Sequence, residues 1–290
     1  MNENNLEYLK KTLDGLGFGS RLNDVLETAI RREMPAFSLG ITSERRPLDA
    51  KDINAPRTDH LSFAINFNRS KDSDMYFLNT YDVTLQKAGN PIAVSQRFDL
   101  ARDHRITALQ AHKLLSGLSL EKEVFLRGRE DDRQPGTQPE KVNMWFKLSL
   151  DITDAYGNHP LRTFRPEYGY DLIDALDRYP LKGLATPDKM NAAHTALRNG
   201  NYVHTELTIG KKNVPVSIAA NPQMKTIDIY DKNMVEIRDE VIFPEKTAAR
   251  GNAKQQQAST ENPTQKAGQG AEALPWEQEP EQQTGYARGR

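Results

Sequence analysis

Two stretches of this chain follow one plan: an alternating strand, a Gly-Asn turn ending at Pro, a return strand and an amphipathic helix. The first runs from Phe77 to Leu85, turns at Ala88-Gly89-Asn90-Pro91, returns from Ile92 to Phe98 and enters a helix near Thr107. The second runs from Met144 to Ile152, turns at Tyr156-Gly157-Asn158-His159-Pro160, returns from Leu161 to Phe164 and enters a helix at Tyr170. Backbone geometry explains the shared turn. Gly accepts positive φ, Asn tolerates the left-handed region, and Pro opens the next strand where its missing N–H does least harm. Tight turns join antiparallel strands, whereas parallel strands need long crossovers. The repeat therefore predicts an α+β fold of tandem antiparallel hairpin-plus-helix modules. Its period exceeds the roughly 20–50 residues of a solenoid, so two tandem modules fit better than a stacked array.

Upstream, Leu6, Leu9, Leu13 and Leu16 fall at helical spacing and predict a helix from Asn5 to Leu16. Gly15, Gly17 and Gly19 end it, and Ser20 is placed to cap a second helix. That helix carries Leu22, Val25, Leu26, Ala29 and Ile30 and stops before Pro35, so the chain opens on a helical hairpin. Ser43 to Arg57 is polar and reads as a loop, after which Leu61, Phe63, Ile65 and Phe67 alternate as a half-buried strand. Arg127 to Glu140 is charged and rich in Gly, Pro and Gln, and reads as a linker or an exposed hairpin loop. Beyond the second repeat, Lys189 to Leu197 reads as a helix. A third hairpin follows through Val203–Ile209 and Val214–Ile218, then strands around Ile227, Ile229 and Val235 to Ile237. The expected division is a first unit over 1–126, a second over 141–245 and a tail over 246–290. The tail consists mainly of Gln, Ala, Gly, Pro, Glu and Thr, which predicts disorder, because it buries too little apolar surface to offset its ordering entropy.

The charge balance bears on partners. Lysine and arginine number 39 against 40 acidic residues, a formal net charge of −1, so no global field draws in nucleic acid or anionic membrane. Contact with either requires a local patch. The absence of cysteine excludes disulfides, thiolate catalysis and cysteine-based zinc sites, and fits a reducing compartment. Neither a signal peptide nor an apolar run of about 20 residues is present, and the expectation is a cytoplasmic chain that does not engage membrane.

Catalytic templates fail on the residues present. The glycines from Gly15 to Gly19 follow a helix rather than a strand and lack a following Lys, so they read as a helix stop rather than a phosphate cradle. Asp171, Asp174 and Asp177 share one helix face. They suit either a hard cation or acid/base work, or else a solvated, acidic first turn that complements the helix dipole. The six histidines show no metal-ligand spacing. No cofactor, metal site or catalytic set is predicted. Basic and aromatic residues do interleave, with Arg97, Arg102, Arg105 and Lys113 in the first repeat and Arg162, Arg165, Tyr168 and Tyr170 in the second. Such side chains hold phosphates and stack bases, although the same pattern also describes a core rim. In the tail, Trp276 stands alone in an acidic stretch, as a docking anchor for a protein partner would.

Four stretches carry a resemblance. They are Asn5 to Lys10 with Gly17-Phe18-Gly19, Asp74 to Tyr81, Tyr168 to Leu172 running on to Pro180-Leu181-Lys182, and Ala220 to Lys225 with Ile229-Tyr230-Asp231. In these the chain resembles an uncharacterised protein family encoded on conjugative transposons of gut anaerobes. Related domains occur attached to topoisomerase-like proteins of the same elements. The loops at Ser43 to Arg57 and Arg127 to Glu140 are longer than in that family. The family has no established activity, so the resemblance implies a setting alone: mobile-element DNA metabolism or transfer. The combined expectation is a non-enzymatic accessory protein that binds a protein or nucleic-acid partner. The alternatives are a DNA- or RNA-associated factor in element transfer or topology, and an enzyme built on Asp171 and Asp174.

Overall fold

In the computed structural model, which describes residues 2–49, 57–126 and 140–244, the chain opens as its leucine spacing predicts. Helix α1 (Glu3–Gly15) buries Leu6, Leu9 and Leu13, and the Asn2 side chain caps it by accepting from the Asn5 N–H at 3.0 Å. Helix α2 (Asn23–Arg31) buries Leu26, Ala29 and Ile30. Ser20 is not its cap. Its carbonyl accepts from the Asn23 N–H at 3.0 Å, and the turn so formed delays the helix and leaves Leu22 at a cap position without a side-chain bond.

Strands β1 (Ala36–Arg45), β2 (Asp59–Arg69), β3 (Tyr76–Gln86) and β4 (Val94–Asp99) form an antiparallel sheet in that order. β1 enters the stretch expected to be loop. Its alternation is thin because it lies at a sheet edge, where only Leu39 is buried. The first repeat is the β3–β4 hairpin, with Gly89 at φ 78° in its turn and Ile92 exposed ahead of β4. Helix α3 (Ala108–Leu115) follows, closed by the reciprocal bonds of Thr107 and Gln110 that define a capping box.

A second sheet is made of β5 (Leu120–Leu126), β6 (Glu140–Leu148) and β7 (Leu161–Phe164). β5 and β6 pair directly from Leu126↔Glu140 to Leu120↔Phe146, and the stretch read as a linker or hairpin loop, 127–139, lies outside the described residues. The strand of the second repeat ends at Leu148 rather than Ile152, and Ile152 is exposed. Its turn, with Gly157 at φ 81°, is organised by Asp154, whose carboxylate accepts from the N–H groups of Tyr156 and Asn158. That turn then docks on the first repeat. The Asn158 side chain accepts from the Arg97 N–H, and the Gln96 side chain accepts from the His159 N–H, both at 2.8 Å.

Helices α4 (Leu172–Asp177) and α5 (Pro187–Arg198) lead to a third sheet of β8 (Val203–Ile209), β9 (Lys212–Asn221) and β10 (Thr226–Tyr230), ordered β10-β9-β8, and to the short α6 (Asp239–Ile242). Val235 to Ile237 forms no strand of its own. It folds back so that the Ile237 N–H donates to the Ile229 carbonyl at 2.7 Å.

Residues up to Phe243 make one compact unit with two apolar clusters. The first lies between the inner face of the four-stranded sheet, α1 to α3, and Leu120, Val124, Met144, Phe146 and Leu148. The second gathers Trp145, Phe164, α4, α5 and the third sheet. Successive residues on a strand point to opposite faces, so β6 supplies Met144 and Phe146 to one cluster and Trp145 to the other. The α+β class and the opening helical hairpin are as expected. The tail over 246–290, with Trp276, lies outside the described residues.

Candidate functional site

The loop between β4 and α3 holds two consecutive residues in the left-handed region, His104 at φ 53° and Arg105 at φ 56°. Such residues are sparsely populated and persist where neighbours over-determine them. Here the Tyr81 hydroxyl donates to the Ile106 carbonyl at 2.8 Å, and the Lys122 ammonium donates to the Arg105 carbonyl at 2.7 Å. The strained turn sets the His104 ring edge-on against Phe146, with centroids 5.5 Å apart. It also aims the Arg105 guanidinium at the Tyr8 hydroxyl, 3.3 Å away.

From this turn a series of basic side chains leads towards the end of β7. Burial and the Arg105 charge pull the Lys122 ammonium down to about 8. The His104 imidazole is held below its usual range by burial and then by the nearby charges of Lys122 and Arg165. Arg165 follows β7 and is exposed, and its carbonyl accepts from the Tyr168 N–H at 3.0 Å in the 3-10 turn Pro166–Tyr168. The Lys225 ammonium sits 4.5 Å from the Tyr168 ring centroid, and the Arg178 guanidinium donates to the Lys225 carbonyl at 3.0 Å. Direct contacts thus join Tyr8, Arg105 and Lys122 in one group and Tyr168, Lys225 and Arg178 in another, with His104 and Arg165 between them within reach of charge effects. Tyr8 and Tyr168 keep 56% and 40% of their surface exposed, which leaves ring area beside the charges.

The sequence-predicted residues divide on this geometry. Arg105, Arg165 and Tyr168 belong to this set. Arg102 belongs to the same strained loop as Arg105, facing Asp99 at 3.7 Å, and Arg162 lies on β7 with its guanidinium on the Ser149 hydroxyl at 3.3 Å. Arg97 is held in a two-pronged pair with Asp82, which raises its affinity for its proton. Lys113 points inward. It is 8% exposed, donates to the Asn199 carbonyl at 2.6 Å, and is depressed by burial. Tyr170 packs edge-on against Trp145 and donates to the Thr226 carbonyl, with burial raising its phenol well above the ordinary range. Sequence reasoning missed Tyr8, His104, Lys122 and Lys225 as members of the set.

Asp171 has a structural task. Its carboxylate accepts from the N–H groups of Ile173 at 2.8 Å and Asp174 at 3.2 Å, capping α4. Asp171→Ala is therefore expected to lower stability by about 1 kcal/mol. Asp174→Asn, at an exposed position, should stay within about 0.5 kcal/mol of the parent, both changes being read from urea titration of the full chain. Among the described residues no group of three or more His, Cys, Asp or Glu side chains is disposed to hold a metal ion, and no helix is long and apolar enough to cross a membrane.

A second polar feature lies deeper. The His112 Nε2 and the Asp59 carboxylate are 2.9 Å apart, with side chains 2% and 3% exposed. Asp59 also accepts from the Ala88 N–H at 2.9 Å, so one carboxylate ties α3 to the first repeat's turn. It lines a cleft of about 260 Å³ with Lys87, Asn90, Ser116, Tyr202 and Tyr230.

Comparison with protein-family models, with curated proteins and with solved structures yields no match to this chain.

Proposed function

We propose that this chain is a non-enzymatic binding protein that holds single-stranded nucleic acid along the Arg105-to-Arg178 series, as a cytoplasmic accessory to the transfer or topology of a conjugative element. The observation that carries this reading is the convergence of cations from the β4–α3 loop, β5, the end of β7 and the turn after β9 beside exposed tyrosine rings. Several cations gathered in this way can contact successive phosphates of an extended strand. A flexible strand also presents base faces for Tyr8 and Tyr168, each stack being worth about 1–3 kcal/mol. The mobile-element setting rests on the four resembling stretches of sequence.

The net charge of −1 makes the attraction local, so binding should weaken steeply with salt. The test is fluorescence anisotropy of a labelled single-stranded oligonucleotide, titrated with full-length protein over a range of salt. Replacing Arg165 and Lys225 together by Gln is expected to weaken binding at least ~10-fold and to flatten the log–log salt slope by ~0.7 per cation removed. If the parent protein binds no oligonucleotide at low salt, or binds it without salt dependence, the reading fails. Turnover of the oligonucleotide, abolished by changing one carboxylate, would restore the enzyme alternative.

A further inference from the structure

The sheet edges of this protein are treated unequally. β10 is covered by the returning segment through the Ile237-to-Ile229 bond, and β8 by Pro180 to Lys182, where the Lys182 N–H reaches the Glu206 carbonyl and the Thr208 N–H reaches the Pro180 carbonyl. β4 is blunted by Asn158. β7 is only four residues long, and β5 carries three charged side chains in a row, Glu121, Lys122 and Glu123. β1 has none of these protections. It pairs with β2 without a register shift from Ala36↔Asn68 to Arg45↔Asp59, and among the described residues no backbone group bonds to its outer edge. It contains no proline and no lysine, and its charges, Glu44 and Arg45, stand at its far end. Long, straight, uncharged edges are templates for pairing with another strand, and proteins ordinarily blunt them.

We propose that β1 pairs antiparallel with β1 of a second copy of this chain, about a two-fold axis at Gly40, joining two four-stranded sheets into one. The strand is complementary to itself about that point. Leu39 comes opposite Ile41 of the second copy and Phe37 opposite Ser43, all on the face that carries the helices. Ser38 comes opposite Thr42 and Ala36 opposite Glu44 on the polar face, and no like charges meet. An isologous contact of this kind closes on itself and stops at two copies. An unrelated peptide adding to the same edge would need a sequence of its own, whereas the second copy brings a matching one.

Gly40 supplies the test. It lies at the axis, its φ is outside the left-handed region, and a Cβ there would meet only the Phe63 carbonyl oxygen at 4.0 Å, an ordinary contact. Gly40→Lys is thus compatible with the monomer fold and sets two ammonium groups side by side across the axis, while Gly40→Thr adds a strand-favouring residue without charge. Sedimentation velocity of the full-length protein over a wide concentration range should show a monomer–dimer equilibrium for the parent and for Gly40→Thr. Gly40→Lys should be a monomer at concentrations where the parent is mostly dimer, with an unchanged circular dichroism spectrum. In the parent, amide hydrogen exchange along β1 should slow as concentration rises. A parent that stays monomeric with β1 amides exchanging at one rate throughout overturns the proposal, as does a dimer that Gly40→Lys leaves intact.

Discussion

Asp59→Ala is expected to lower the stability of this protein by about 2–6 kcal/mol, since it leaves two buried groups without a partner and each such group costs about 1–3 kcal/mol. Two groups are stranded by the change. The His112 ring, 1% exposed, keeps no partner on Nε2, and its Nδ1 already has none among the described residues. The Ala88 N–H loses its acceptor as well. Asp59→Asn retains an oxygen for Ala88 and an amide group beside the imidazole, and should cost less than the alanine change. Urea midpoints of the three proteins, compared at a common slope, read the order directly. An alanine variant as stable as the parent would remove the pair from any structural role.

The same pair gives stability a pH dependence of definite sign. His112 titrates below its ordinary 6.5, first because burial opposes its charge, an effect that the Asp59 hydrogen bond and charge counter and that the Arg45 and Lys87 charges reinforce. The folded state thus binds its proton less readily than the unfolded state. Wherever the unfolded chain holds more protons, stability rises with pH. The contribution is complete above the unfolded value and is lost as pH falls through the folded one. His104, also depressed by burial, adds in the same direction. Urea midpoints measured from about pH 7 down to about pH 5 should therefore fall, and His112→Gln should flatten the fall.

Much of the frame is legible because local rules suffice for it. The α1 leucines, the alternation from Leu61 to Phe67 and the positive-φ turns at Gly89 and Gly157 each follow from spacing or sterics within a few residues. β1 and β5 escape notice for the opposite reason: each lies at a sheet edge, half exposed, and its pattern is diluted. The site is harder to read. Lys113 counts as a cation in sequence, yet its ammonium is aimed at the C-terminal end of α5, where carbonyls and the helix dipole both favour positive charge. Lys225 lies far from either basic cluster in the chain and Lys122 lies on the next strand, and only folding brings them to Tyr168 and Arg105. Asp171 reads from sequence as part of a helix face or an acidic first turn, and its bonds instead make it the cap that precedes α4.

A chain ended at residue 126 is expected to lose cooperative folding altogether. Such a fragment keeps the helical hairpin and the whole four-stranded sheet, and by sequence it reads as a self-sufficient unit. Its core, however, is closed from outside that range. Phe146 is fully buried and Met144 and Leu148 are each 2% exposed, all three packed with Leu120 and Val124 in the first cluster. Without β6, β5 has no strand to pair with, and Leu120 and Val124 face water. Removing Phe146 alone, as Phe146→Ala, should lower the stability of the full chain by about 3–5 kcal/mol. Losing three such side chains together with a strand's hydrogen bonds exceeds half of the 5–15 kcal/mol, roughly, by which a typical domain is stable. The shared strand carries a second consequence. Trp145 belongs to the other cluster, so the two cores should melt together, and Trp145→Ala and Phe146→Ala should each shift one transition rather than split it. Calorimetry on the full chain and near-ultraviolet circular dichroism on the fragment make the comparison. A sharp melting transition in residues 1–126 would mean that β6 covers a core already closed without it.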